Sequence, residues 1–522
     1  MNSVIDGPCY TCRNRRIQCD QSGVPCGKCR SAGLACLDKR PLKWVKGVAI
    51  RGKLQGHVYG TLDDPSPGKQ NGRQGSAHQR RALRQVQSSG TILGDHSGPY
   101  SLRQAPVRTL AIPDPALSGL DDVSKYYLDY YKERICQLFI VRDTTRNPFR
   151  QLIALSLISP VLSKALLALA ARHRANQCQT FHELTSPIPP EQVTADRRAL
   201  VLKHQAIAAL SRAVADPISS RQDSTLASVF LLVFLDLVES GSDGWNFHLE
   251  GAKNLVASLQ PQSEPQAGIN QGRGQTLHGI LTFIAKQIKV IGTLGATFVR
   301  PRTLSGFVIP EHEEALLSET TDTSFLGCPD HILHVMHSLS IQRDILFSPT
   351  IDPLMVETHA RRTHELVRTC EEFDCYAWVA QLQKVSSSAR ERGSLTLLAR
   401  SFKVGTIIYG KRILDAMTAY TTQLVALVSE LLDVLKDLQN DWAMFKCVLW
   451  PIFVAGLESS TQTERHIVQT LLEKFWNATS CLNAVNAAKT LQAYWFQADA
   501  SGVGQSRWIF DIGQLGRDWL WI

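Results

Sequence analysis

CYTCRNRRIQCDQSGVPCGKCRSAGLAC, residues 9–36, places cysteines at Cys9, Cys12, Cys19, Cys26, Cys29 and Cys36, in the pattern C-x2-C-x6-C-x6-C-x2-C-x6-C. The second three repeat the first at an offset of 17. The stretch therefore reads as two copies of one unit, a Cys-x-x-Cys that opens a short helix and a third cysteine that closes it. Pro25 stands in the link between the copies, where its fixed φ helps turn the chain back. A structural zinc takes four ligands in a tetrahedron about 2.3 Å from the ion. Two separate zincs would need more ligands than six cysteines supply, and the count closes only if two cysteines each bridge both metals. Six thiolates against two dications leave a net negative cluster, which neighbouring Arg and Lys side chains and helix N-termini offset.

The other use of six cysteines so close together is a secreted disulfide framework. The preceding MNSVIDGP has neither the basic start nor the apolar run of an export signal. Paired Cys-x-x-Cys in a reducing compartment favours metal over disulfide. The two halves differ in charge. After Cys12 come Arg13, Asn14, Arg15, Arg16, Ile17 and Gln18; after Cys29 come Arg30, Ser31, Ala32, Gly33, Leu34 and Ala35. The first helix is read as the one with a cationic edge, suited to guanine O6/N7 and to phosphate. Balancing the thiolates accounts for Arg13, but three arginines in so short a run exceed that need. Ile17 and Leu34 are the expected apolar core of the small module.

The stretch resembles the fungal binuclear zinc cluster of transcription factors, the two-zinc, six-cysteine family, in both its spacing and its basic run. The resemblance implies that all six cysteines bind two Zn2+ ions per chain, with Cys9 and Cys26 as the bridging ligands. It further implies that Arg16 reads a guanine in a CGG-type triplet with Arg15 in support. Gln18 stands where many members carry Lys.

Charge is distributed unevenly. Residues 1–110 sum to +12 and the remainder to −3, so a nucleic-acid contact is expected in the head alone. Just after the cluster, LKWVKGVAIRGKLQG sets basic residues around Trp44. It reads as an arm in which Lys43, Lys46 and Arg51 track DNA phosphate, doubling as a nuclear-import signal. The bland alternative is a solvated basic linker. Its phrase WVKGVAIRGKL also resembles one that follows the cluster in many fungal factors. Beyond it, DDPSPGKQNGRQGSAHQRR lacks apolar periodicity and cannot bury a core.

From about residue 119 the pattern is helical. Ser124 is the expected cap of a helix through KYYLDYYKERICQLF, and Pro160 is expected at a helix start. Residues 200–215 are amphipathic. TLASVFLLVFLDLVESG carries an apolar run from Leu226 to Leu235, too short for a membrane span and read as a buried core helix. The phrases NPFRQLI, ALLALAARH, TLASVFLLVFLDLVESG and GWNFHLEGAKNL resemble the fungal-specific transcription factor regulatory domain over roughly residues 120–260. Residues 260–276 and 301–330 read as loops, the second with an acidic, Leu-spaced composition that can serve in activation. The apolar stripe from Leu424 to Leu438 spans too few heptads for a coiled coil and is expected to face the core. The tryptophans near the end, Trp495, Trp508, Trp519 and Trp521, are expected to pack rather than bind.

Signs of an enzyme are weak. Gly405-x-x-x-x-Gly410-Lys411 imitates a phosphate loop, but Arg412 stands where Ser or Thr must reach magnesium and no strand-like run precedes it. His248 and Glu250 lack a second metal-spaced His, and His173 and His204 read as core-edge residues. The seven cysteines after the cluster read as buried or free thiols. The expected fold class is mainly α. It comprises a small two-zinc, six-cysteine DNA-binding module over 1–37, a disordered basic linker over 38–118, and a large all-α regulatory domain over 119–522, either a bundle or an irregular solenoid. The expected function is a nuclear, sequence-specific transcription factor of RNA polymerase II type that regulates metabolic or secondary-metabolite genes. Its expected partners are double-stranded DNA and the transcription machinery or co-regulators, with no membrane, and any homodimer forming through the helical body. A zinc-dependent protein-interaction adaptor without direct DNA readout is the alternative, which the arginines and the basic arm disfavour.

Overall fold

The computed structural model describes residues 8–15, 17–22, 25–34 and 36 at the head. In the body it describes 119–182, 189–242, 244–259, 275–299, 325–346, 353–382, 388–418, 420–501, 508–510 and 518–522. The linker, the basic arm, and most of the two expected loops at 260–276 and 301–330 lie outside the described residues. Head and body are separate units. The head holds α1 (Tyr10–Asn14) and α2 (Gly27–Ser31). The body begins with α3 (Asp122–Tyr130), α4 (Pro148–Ile158), α5 (Pro160–Asn176), α6 (Pro190–Ala215), α7 (Asp223–Glu239), α8 (Trp245–Leu259) and α9 (Gln275–Ala296). It continues with α10 (Asp330–Ile345), α11 (Pro353–Glu372), α12 (Cys375–Gln381), α13 (Ala389–Thr418) and α14 (Val425–Leu438). It ends with α15 (Trp442–Phe445), α16 (Leu449–Glu458), α17 (Gln462–Thr479) and α18 (Leu482–Ser501). Among the described residues no strand forms, and the one β-type pairing is an isolated bridge between Ser242 and Trp519.

The helix starts follow their local chemistry. Pro148, Pro160 and Pro190 stand in the first turns of α4, α5 and α6, where a missing N–H costs nothing. Asn147, fully buried, accepts from the Phe149 amide at 2.9 Å and donates to the Cys136 carbonyl at 2.7 Å. Ser124 is not the cap of α3. The Asp121 carboxylate is, accepting from the Ser124 amide at 2.9 Å and its hydroxyl at 2.7 Å, because an acidic group three residues upstream reaches the free first-turn donors. The expected continuous helix also changes register after Tyr130, where Tyr131–Ile135 form a π turn that buries Tyr131, Ile135 and Cys136 together. α6 starts ten residues before its amphipathic stretch, with the polar PEQVTADRR as its first turns.

One continuous core runs from Tyr127 to Ile522, and α7 packs against α18 far along the chain, as in a packed bundle. α7 is its axis. Every residue from Ser224 to Val238 is buried, with α4, α5, α6, α8, α9 and α18 packed around it. Each buried Leu, Val or Phe contributes about 1.5–3 kcal/mol. Phe234 meets Phe139, Phe230, Phe325 and Phe149 at ring separations of 4.4 to 5.5 Å. α9 is long and apolar enough to cross a membrane, but two-thirds of its apolar stretch is buried in this core. The buried Asp236 of α7 joins three helices, with His248 Nδ1 of α8 at 2.6 Å and Lys203 Nζ of α6 at 3.6 Å. His173 is a core residue, not an edge one. Its Nδ1 accepts from the Tyr130 hydroxyl and its Nε2 donates to the Thr479 carbonyl, each at 2.8 Å. His204 is exposed.

The phosphate-loop imitation is helix interior. A Cβ on Gly405 would lie 2.6 Å from the Trp450 ring, so glycine there lets α13 and α16 meet closely. Arg412 is buried in a polar cluster. It donates to Glu458 through Nε at 2.8 Å and Nη2 at 2.6 Å, and to Asp415 through Nη1 at 2.8 Å. The Trp508 indole donates to the same Glu458 carboxylate at 2.6 Å. All four late tryptophans are buried, and the stripe of α14 faces the core through Val428, Leu431, Leu432, Val434, Leu435 and Leu438. Residues 518–522 close across the bundle. Leu520 N donates to the Gly241 carbonyl at 2.9 Å, the Trp245 indole to the Asp518 carbonyl at 3.0 Å, and Asn483 Nδ2 to the Ile522 carbonyl at 2.9 Å. Gly241 has φ +69°, and a Cβ there would sit 2.6 Å from Asn483 Cβ. Of the seven body cysteines six are buried and Cys178 is exposed.

Candidate metal centre and DNA-reading head

The repeat read from the cysteines recurs in the backbone at the same offset. Cys9 and Cys26 are the N-caps of α1 and α2, and their sulfurs accept from the Cys12 and Cys29 amides at 3.4 Å each. Arg13 N donates to the Cys9 carbonyl and Arg30 N to that of Cys26, at 3.1 and 2.9 Å. Ile17 N donates to the Cys12 carbonyl and Leu34 N to that of Cys29, at 3.1 and 3.0 Å. Asp20 Oδ1 and Ser22 Oγ close the link by accepting from the Gly27 amide at 3.0 and 2.9 Å.

The sulfurs gather into two foursomes, Cys9, Cys12, Cys19, Cys26 and Cys9, Cys26, Cys29, Cys36, each within 4.8 Å throughout. Cys9 and Cys26 belong to both. Sulfurs about 2.3 Å from a central zinc form a tetrahedron with edges of about 3.8 Å. The Cys9–Cys26, Cys9–Cys29 and Cys12–Cys26 separations are 3.8, 3.8 and 3.7 Å. The donor set is all soft sulfur, and the residues fit a pair of zinc ions. The Cys12 and Cys29 amides hold the Cys9 and Cys26 thiols below their usual range, whereas burial pushes Cys12 far up and Cys29 up to about 12. Metal is what would draw those last two into the thiolate form.

Ile17 and Leu34 are exposed, so they are not the core of this module. Among the described residues of the head, the buried ones are cysteines. Arg13 and Arg15 are exposed on and just after α1. Arg16, Lys43, Lys46 and Arg51 lie outside the described residues. The expectation of one cationic helix needs correction, because α2 also carries exposed Lys28 and Arg30 in its last turn. Arg30 Nη2 is used locally, donating to the Pro25 carbonyl at 3.3 Å. Lys28 lies inside the second Cys-x-x-Cys, and comparing only the runs that follow Cys12 and Cys29 passes over it. Its signal was a cation at a helix position facing away from the ligating cysteines.

Residues 126–522 match the fungal specific transcription factor domain, and residues 7–44 match the fungal Zn(2)-Cys(6) binuclear cluster domain. The chain belongs to the fungal zinc-cluster transcription factors. Its cofactor is zinc, two ions per cluster domain, and its zinc head is a DNA-binding module. The acriflavine sensitivity control protein acr-2 of Neurospora crassa is 26% identical over 397 residues, covering 71% of this chain and 62% of that protein. The chain thus spans less than two-thirds of that relative's length. The transcriptional regulatory protein pro1 of Neurospora crassa is 46% identical over 43 residues, 8% of this chain and 6% of that protein. No solved structure matches.

Proposed function

We propose that this transcription factor reads a CGG-type triplet through Arg16, with Arg15 in support and Arg13 offsetting the cluster's charge. All six cysteines of the head ligate the zincs, and Cys9 and Cys26 bridge them. Lys43, Lys46 and Arg51, together with Lys28, contact phosphate. The single observation that supports the reading is the pair of sulfur foursomes sharing two cysteines, beside which Arg13 of α1 and the following Arg15 are exposed. The boundaries follow as a head over 1–37, a linker over 38–118 and a regulatory body over 119–522. The protein acts in the nucleus and is not an enzyme. The body relays to co-regulators and carries any homodimer contact. Target genes lie in metabolism, and the relative named for acriflavine sensitivity adds tolerance of toxic compounds.

The test is binding of the full chain to CGG-bearing and scrambled duplexes across a salt series. Arg16→Ala is expected to cost about 1–3 kcal/mol and to relax preference at one base pair. Lys43→Ala is expected to weaken all sequences alike and to make the log-log salt slope shallower by about one. Unchanged relative affinity of Arg16→Ala for the two duplexes would remove the assignment.

A further inference from the structure

The body has a cleft of about 670 Å3 where the end of α4, the starts of α5 and α7 and the end of α6 converge. α5 and α7 are both seventeen residues long, and Ser159 and Gln222 at their N-cap positions make no side-chain cap. The N-termini of two helices, the positive ends of their dipoles, therefore meet in one place. Lys164, Arg212 and Arg221 line the same cleft and form no ion pair among the described residues; Asp223 is the one carboxylate in the lining. Two further groups point to a ligand. Ser159 and Ser224 are 9% and 6% exposed and line the cleft, and neither hydroxyl has a hydrogen-bond partner among the described residues. Leu155, Ile158, Val161, Ala209 and Ala213 form an apolar side of the wall, with Ile158 81% exposed, and Ser219, Gln222 and Thr225 also line the cleft.

We propose that this cleft binds a small amphiphilic organic acid, its carboxylate held by Lys164, Arg212, Arg221 and the two serine hydroxyls, its aliphatic body along the apolar wall. A neutral ligand would leave the three cations with Asp223 as the one carboxylate of the lining. A bare inorganic anion would leave the apolar wall in water. The volume is that of an ordinary small-molecule site. The site belongs to the regulatory body, and its test, made without DNA, can fail or succeed separately from that of DNA reading.

The experiment is isothermal titration of the full-length, zinc-loaded chain at neutral pH with three probes: sodium octanoate, 1-octanol and inorganic phosphate. Octanoate is expected to bind saturably at one per chain, with octanol and phosphate at least tenfold weaker. Arg212→Gln and Lys164→Gln should each weaken octanoate at least fivefold, and Ser224→Ala about twofold. Arg212 is exposed, so its variant should keep wild-type helicity by circular dichroism; should Lys164→Gln lose helicity, Arg221→Gln takes its place. Absence of saturable octanoate binding, octanol or phosphate binding as tightly as octanoate, or folded variants that bind octanoate unchanged would each overturn the proposal.

Discussion

At the scale of single residues, two sulfurs and one imidazole carry the sharpest expectations. If Cys9 and Cys26 bridge, Cys9→Ser cuts both metal sites, whereas Cys36→Ser leaves the foursome of Cys9, Cys12, Cys19 and Cys26 intact. Zinc per chain by elemental analysis should then fall close to zero for the first variant and close to one for the second; equal losses would refute bridging. His173 is neutral in the core, and burial draws it down to about 4. An unfolded histidine titrates near 6.5, so the unfolded chain takes up a proton that the folded chain refuses. This group's contribution is fully present above about 6.5 and is lost as pH falls toward 4, at up to about 1.4 kcal/mol per pH unit. Urea midpoints measured between pH 7 and pH 5 should fall more steeply for wild type than for His173→Gln, and parallel slopes would show that His173 is not responsible. The sequence marked His173 without disclosing its depth. Its partners, Tyr130 and the Thr479 carbonyl, are 43 and 306 residues away, and no local pattern joins them.

Among the elements, the helices whose apolar faces are continuous were legible and the joints between them were not. α7 announces itself because a run of Leu, Val and Phe has no polar face to expose, and α14 because its stripe keeps helical spacing. The start of α6 was hidden because its first turns are polar, and the cap of α3 because Asp121 and Ser124 are both good capping residues. The contact of α13 with α16 was the least visible. Arg412 looked like the wrong residue for a nucleotide site, and its actual place is a buried fork on Glu458 with Asp415 and Trp508 completing the set. Removing one side of a buried ion pair strands the other, at a cost of about 3–5 kcal/mol. Arg412→Leu should lower the denaturant midpoint of the body accordingly, and Arg412→Lys should recover only part, since an ammonium cannot form the fork. A midpoint within error of wild type for Arg412→Leu would show that the cluster is solvated.

For the molecule as a whole, the division into a basic head and a near-neutral body was open to sequence reading, because charge and cysteine spacing are properties of composition. The closure by residues 518–522 was not, because Trp519 and Trp521 said only that they would pack, and Gly241 and Asn483 gave no sign of where. The body has a core of its own from Tyr127 onward. A fragment of residues 119–522 should therefore fold with high helicity and fail to retard duplex DNA at moderate salt; retardation comparable to the full chain would overturn the division of labour. The head is the opposite kind of object. With Ile17 and Leu34 in water and cysteines alone buried among its described residues, these offer almost no apolar surface to hold it folded without metal. On the shared-sulfur arrangement, the first ion to bind positions Cys9 and Cys26 for the second, so intermediate loading is scarce and the two ions enter together. Occupancy of its DNA targets would then respond to free zinc as a threshold: a modest fall in zinc supply would withdraw the regulator from its promoters abruptly, while the body remained folded.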